Sequence, residues 1–169
     1  VTLSATDADG DAITYSAVSD TNAVTVSLSS STLTLTPNAN WHGVATIKAY
    51  ASDGSSKDST SFKLTVTPVN DAPIISAIPD HSTNEETEKK VYFNPAYSDV
   101  DNDQLIYTAF SDTTGVKINE VSIASSNETI VDAYIKLTPG LNFTGVARIT
   151  VIASDNILND STTFNFTVI

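Results

Sequence analysis

Apolar and polar residues alternate along most of this chain. In Val24-Thr-Val26-Ser-Leu28 and in Phe62-Lys-Leu64-Thr-Val66 every second residue is apolar. That is the period of a strand with one buried face and one wet face. The same pattern predicts strands at 1–5, 13–18, 24–28, 32–36, 44–52 and 61–67, then at 74–78, 90–97, 105–110, 116–123, 130–137, 147–153 and 163–169. No stretch carries a helical period. Thr, Val and Ile dominate these runs, and their branching at Cβ suits a pleated strand. Short strands at this spacing predict an all-β fold of two tandem antiparallel Greek-key β-sandwiches.

The tandem reading rests on an internal repeat. Asp7-Ala-Asp9-Gly-Asp11 returns as Asp99-Val-Asp101-Asn-Asp103, 92 residues later. Thr36-Pro37, Trp41-His-Gly43-Val-Ala45, Ala51-Ser-Asp53 and Phe62 return 102 residues later, at Thr138-Pro139, Phe143-Thr-Gly145-Val-Ala147, Ala153-Ser-Asp155 and Phe164. The change of offset places an insertion of about ten residues between Asp112 and Lys136 of the second copy. Between the copies, Pro68-Val-Asn70-Asp71-Ala-Pro73 has turn and linker chemistry. The expected organisation is a first repeat at 1–69, a linker at 70–73 and a second repeat at 74–169. The first copy has only six residues before its Asp triplet, whereas the second has about 25 after the linker, so the first repeat is expected to lack its opening strand or two. The chain has no initiator Met or leader and is expected to be a segment of something longer.

Composition narrows the chemistry. The 169 residues carry 20 acidic against 8 basic side chains, a net charge of -12. A nucleic-acid partner needs a basic surface and is excluded. With no cysteine there is neither a disulfide framework nor a thiolate metal site. No run of about 18 apolar residues exists to insert into a membrane as a helix. Neither a Gly-x-Ser-x-Gly elbow nor a Gly-rich phosphate loop is present, so no enzyme is expected.

The acidic triplets are the sharpest chemical feature. Carboxylates on alternate residues of an extended segment repel one another unless a hard, oxygen-seeking cation sits among them. Calcium accepts six to eight oxygens in loose geometry, whereas magnesium demands a strict octahedron and zinc prefers His or Cys. An EF-hand is ruled out, because the twelfth position from Asp7 is Val18 and from Asp99 is Phe110, not Glu.

Taken together, Ala5-Thr-Asp7-Ala-Asp9-Gly-Asp11, Ala51-Ser-Asp53-Gly54 and Pro68-Val-Asn70-Asp71-Ala-Pro73 resemble the calcium signatures of cadherin repeats. They are closest to the bacterial cadherin-like repeats of large surface and secreted adhesins. The Pro-x-x-Asn-aromatic-x-Gly pattern is similar to those repeats too. The resemblance implies a cadherin/immunoglobulin-like sandwich and a Ca2+ site at the junction, built by Asn70, Asp71, Asp99, Asp101, Asp103 and Asp155. It implies that Asn70 offers its backbone carbonyl and Asp71 a shared carboxylate. A weaker, upstream junction would use Asp7, Asp9 and Asp53. Cadherins also place glutamates in the preceding domain, but here no Glu occurs before residue 85, which reduces the expectation to one ion. The implied role is a calcium-stiffened segment of an extracellular or bacterial-surface adhesin, its partners being neighbouring repeats of the same chain. The alternative is a polysaccharide-binding or homophilic module, engaging another cadherin-like protein through the insertion at 112–136.

Overall fold

The structure is a computed structural model that describes residues 1–93, 99–126 and 129–169, without the side chains of 124–126 and 129–132. Its contacts divide into two units, Val1–Val69 and Asn70–Ile169. Residues 70–73, which read as a linker in the sequence, group with the second unit.

The first unit contains β1 (Thr14–Ser19), β2 (Val24–Ser29), β3 (Thr32–Pro37), β4 (Gly43–Ser52) and β5 (Lys57–Val66). One sheet has the order β1-β4-β5 and the other is the β2-β3 hairpin. The strand predicted at 1–5 reduces to a single bridge, Thr2 against Thr32. Leu3 N donates to Ser31 O at 2.8 Å and Leu33 N to Val1 O at 2.7 Å. The core is small: Val24, Leu33, Ala45 and Ile47 are buried, with Trp41, Phe62 and Leu64 half-buried against them.

The second unit contains β6 (His81–Thr83), β7 (Lys89–Tyr92), β8 (Ile106–Ser111), β9 (Val116–Ser126), β10 (Thr129–Pro139), β11 (Gly145–Ser154) and β12 (Asn159–Val168). A four-stranded sheet, β6-β12-β11-β8, faces a three-stranded one, β7-β10-β9. Their inward side chains meet in one core that includes Val91, Ile135, Leu137, Ile149, Val151, Phe164 and Phe166. Each unit is thus built as a β-sandwich. The predicted insertion lengthens one hairpin: β9 and β10 have 11 residues each, where β2 and β3 have 6.

One expected strand is corrected, one strand was not expected, and one expectation runs beyond the described residues. Residues 74–78 do not form a strand, because Pro73 and Pro79 flank them and neither has an N–H to pair. Strand β6 goes unpredicted, since His-Ser-Thr is too short and too polar to show alternation. It also runs parallel to β12, with Phe166 opposite His81, the one parallel pairing among the described strands. The strand predicted at 90–97 is described only as far as 93.

Side-chain carboxylates hold the chain against β12. Asp80 accepts the Asn165 backbone N–H at 2.7 Å and its side-chain amide at 3.1 Å. Beside it, His81 stands edge-on to Phe164, with ring centroids 5.9 Å apart, and its buried Nε2 has no hydrogen-bond partner among the described residues. Burial, then the neighbouring Lys89, holds the imidazole below its usual 6.5, with Asp80 opposing.

Two predictions follow from this packing. Phe166 is fully buried, while its repeat partner Leu64 is half-buried. Phe166→Ala is expected to destabilise the second unit by about 3–5 kcal/mol and Leu64→Ala to cost the first unit less, read by denaturant unfolding. His81 has a lowered folded pKa, so its contribution is present above 6.5 and lost as pH falls through the folded pKa. Amide exchange in β6 should therefore accelerate between pH 7.5 and 5.5 beyond its intrinsic pH dependence (about neutral to mildly acid conditions), and His81→Phe should remove that excess.

Candidate metal centre

The second triplet is a turn built around one carboxylate. Asp99 Oδ1 accepts the N–H of Asp101 at 2.9 Å and of Asp103 at 3.3 Å, while Asp99 O accepts from Asn102 N at 3.3 Å. Such a wrap requires a left-handed residue, and Asn102 supplies it at φ 61°. Asn tolerates this conformation better than most residues do. The other wall comes from the turn after β11. There Asp155 Oδ1 accepts from both Ile157 N and Leu158 N at 2.6 Å.

Asn70 and Asp71 close the site. Asn70 Nδ2 donates to Asp155 Oδ2 at 2.8 Å and Asp71 N donates to Asp101 Oδ2 at 2.8 Å. The resemblance implied a role for the Asn70 carbonyl, whereas in the structure its side-chain amide makes the contact with Asp155. Asp99, Asp103 and Asp155 bring one carboxylate oxygen each to within 4.8 Å of one another. Asp155 is only 6% exposed, and it is the buried charged residue of the described chain.

The electrostatics are unbalanced. The Asn70 amide, followed by the Leu158 and Ile157 N–H groups, holds the Asp155 carboxyl below the ordinary Asp value. Asp103 is pushed the other way, first by desolvation and then by the charges of Asp99, Asp101 and Asp155. Among the described residues, the buried Asp99 Oδ2 has no hydrogen-bond partner. A buried, unpaired carboxylate oxygen is costly. An all-oxygen set with an orphaned oxygen among crowded carboxylates fits a hard cation of the calcium type.

The first unit repeats the backbone without the cluster. Asp7 Oδ1 accepts from Asp9 N at 2.9 Å and Asp11 N at 3.0 Å, with Gly10 left-handed at φ 81° in the place of Asn102. Asp53 Oδ1 accepts from Ser55 N and Ser56 N at 2.7 Å, as Asp155 does from Ile157 and Leu158. Asp7 and Asp53 line one groove. Among the described residues, however, only Asp99, Asp103 and Asp155 gather three such ligand atoms within 4.8 Å. Asp160, which the sequence reading passed over, fastens the chain next to the site: its Oδ2 accepts from Ile75 N at 3.0 Å. The alignment of Asp58 with Asp160 was the signal that could have found it.

Among solved structures, the chain is similar to the endo-fucoidan hydrolase MfFcnA4 from glycoside hydrolase family 107, at 20% identity over 95% of this chain and 24% of that one, with a TM-score of 0.40. It is similar to the endo-fucoidan hydrolase MfFcnA9 of the same family, at 19% identity over 93% and 28%, TM-score 0.43. It is also similar to the titin domains z1z2 in complex with telethonin, at 13% identity over 93% and 81%, TM-score 0.42. The chain thus spans about a quarter of the length of the fucoidan hydrolases. No curated protein matches it significantly. No helix of the described residues is long and apolar enough to cross a membrane. Residues 2–67 match the family described as cadherin-like domain, and the chain's first unit, whose motifs the second unit repeats, is a cadherin-like domain.

Proposed function

We propose that the chain is a non-catalytic segment of a larger extracellular adhesive or secreted protein, and that its second unit binds Ca2+ at Asp99, Asp101, Asp103 and Asp155. The observation that carries this reading is the buried, partnerless Asp99 Oδ2 beside the crowded carboxylates of Asp103 and Asp155. When bound, the ion supplies positive charge where three or four carboxylates otherwise repel.

The chain's own residues prepare that site. Backbone N–H groups fix Asp99 and Asp155, so their oxygens stay near one another with or without the cation. Asn70 and Asp71 are tied to Asp155 and Asp101, which anchors the start of the second unit. Neutralising the Asp cluster removes the repulsion that opposes this anchorage. The opening residues of the second unit then have less freedom. Extracellular calcium modules bind at about 0.1–1 mM, which ties stiffening to conditions outside the cell.

Calorimetric titration tests the proposal. One strong site is expected per chain, and about 10 mM calcium should stabilise the second unit by roughly 1.4–2.7 kcal/mol at that affinity. Asp99→Asn should abolish the heat, while Asp7→Asn leaves it. No heat, with thermal melting unmoved by calcium, overturns the reading.

Asp103 gives a sharper test, because its repulsion and its ligation act in opposite directions. Its folded pKa is raised, so without calcium its ionisation lowers stability as pH rises from the ordinary Asp range through the raised value. Asp103→Asn is expected to raise the melting temperature in chelator and to lower calcium affinity. A variant that is less stable in chelator would show that the carboxylates are not in conflict.

A further inference from the structure

The three basic residues of the first unit, Lys48, Lys57 and Lys63, all stand on one face of one sheet. In β4 the buried Ala45, Ile47 and Ala49 point into the core, so Thr46, Lys48 and Tyr50 point out. Residues opposite one another in an antiparallel pair share a face. The register sets Lys63 opposite Thr46, Ser61 opposite Lys48, Ser59 opposite Tyr50 and Lys57 opposite Ser52. On the other side of β4, Ser16 stands opposite Tyr50 and Val18 opposite Lys48. Each of the three lysines is exposed.

Tyr50 gathers two of the ammoniums. Lys57 Nζ lies 3.8 Å from the centre of its ring and Lys48 Nζ 5.3 Å. Both are within the roughly 6 Å over which a ring quadrupole attracts a cation. Two like charges are thus held beside one ring. Among the described residues no carboxylate forms an ion pair with any of the three lysines. The acids of this unit lie elsewhere. Asp7, Asp9 and Asp11 precede β1, Asp53 follows β4, and Asp58 is in step with Phe62 and Leu64 on the opposite face of β5. Asp20, beyond the end of β1, turns its carboxylate onto the backbone N–H of Thr46 at 2.9 Å. A strand alongside β5 would leave the face open. In the second unit β6 pairs with the edge of β12, and the outward Arg148, Ser161 and Thr163 stay exposed.

The chemistry of the face selects its partner. Ammoniums set among Ser and Thr hydroxyls offer charge-assisted hydrogen bonds to anions and further bonds to hydroxyl groups. A protein interface has an apolar centre with aromatic anchors, whereas the exposed apolar side chains of this face are Val18 and Val44, on different strands. Stacking of a nucleic-acid base needs an open ring, and Lys57 lies over Tyr50. A sugar chain bearing acid groups needs neither. We propose that the outward face of β4 and β5 binds an anionic polysaccharide. Lys48 and Lys57 take one sulfate or carboxylate group beside Tyr50, and Lys63 takes another further along. Lys57 and Lys63 are six residues apart on one strand, about 20 Å, so the occupant is a chain of several sugars rather than a single one. The surrounding acids repel a polyanion elsewhere on the unit and direct it to this face. The site uses none of the residues of the calcium reading.

The test is titration of the whole chain with sulfated dextran oligomers, read by amide NMR in chelator so that no divalent ion bridges the polymer to the Asp clusters. Polygalacturonate exchanges sulfate for carboxylate, uncharged dextran removes the charge, and poly-glutamate places the charge on a polypeptide. Sulfated dextran or polygalacturonate is expected to shift amides of residues 46–50 and 57–63, and the tighter of the two identifies the acid group. Raising NaCl from about 50 to 200 mM should weaken binding about tenfold. Lys48→Gln, Lys57→Gln and Lys63→Gln, all exposed changes, should each cost about two- to fivefold in affinity. The triple variant should abolish the shifts without lowering the melting temperature. Arg148→Gln, in the second unit, and Asp99→Asn should leave binding intact. The proposal is overturned if neither charged glycan shifts these amides, if the triple variant still binds, or if uncharged dextran binds as well. It is overturned equally by poly-glutamate binding as tightly, which would make an acidic protein the occupant. Shifts that follow protein concentration without glycan would make a second copy the occupant, and shifts seen only in calcium would mean bridging through the acids; either result overturns it.

Discussion

Carboxylates that accept backbone N–H groups cannot swing apart to relieve their repulsion. That constraint organises the second unit. Asp99 folds its own turn by accepting from Asp101 and Asp103, and Asp155 folds another by accepting from Ile157 and Leu158. Each turn is locally satisfied. Packing them together is what creates the conflict, because it sets Asp103 among three other carboxylates and buries Asp99 Oδ2 without a partner. A surface acid would rotate into water. Asp99 and Asp155 are held by the same bonds that make the turns, while Asp103 keeps an exposed carboxylate beside them.

Local features were legible in the sequence and distant ones were not. The sandwich shows itself because each strand has one wet face, which writes alternation directly into Val24–Leu28 and Phe62–Val66. The Asp triplets are visible because Asp99 acts on residues two and four positions away. Strand β6 is invisible because its place comes from β12, 85 residues on, and from the grip of Asp80 on Asn165. Asp160 escapes for the same reason: it binds a backbone N–H, and a backbone N–H has no residue identity to read. Ile74–Ile78 misleads because its apolar residues are needed for burial, while Pro73 and Pro79 deny it a ladder.

The two units work as a controlled pair. They share turn geometry down to the left-handed residue, Gly10 or Asn102, and Gly54 or Asn156. Turn chemistry alone therefore does not assemble the cluster, since the first unit has the turns and lacks the three-way approach. In the second unit the segment 70–83 ties Asp155 to Asn70 and Asp101 to Asp71. The same segment supplies Ile75 and Ile78 to the core. Acidic cluster and core are thus completed by one stretch of chain.

That coupling explains why one short segment can set both stability and site geometry. Burying Ile75 and Ile78 removes apolar surface from water, a favourable term of about 1.5–3 kcal/mol for each fully buried side chain. The Asp cluster at the head of the segment opposes the same docking through charge. Apolar burial therefore holds the acids together against their repulsion, and a cation bound there would relieve the repulsion rather than gather the ligands. In the first unit Phe62 and Leu64 are half-buried, and among the described residues no three of its acids gather as Asp99, Asp103 and Asp155 do. In the second unit the crowding of the acids and the filling of the core both follow from one segment docked on one edge.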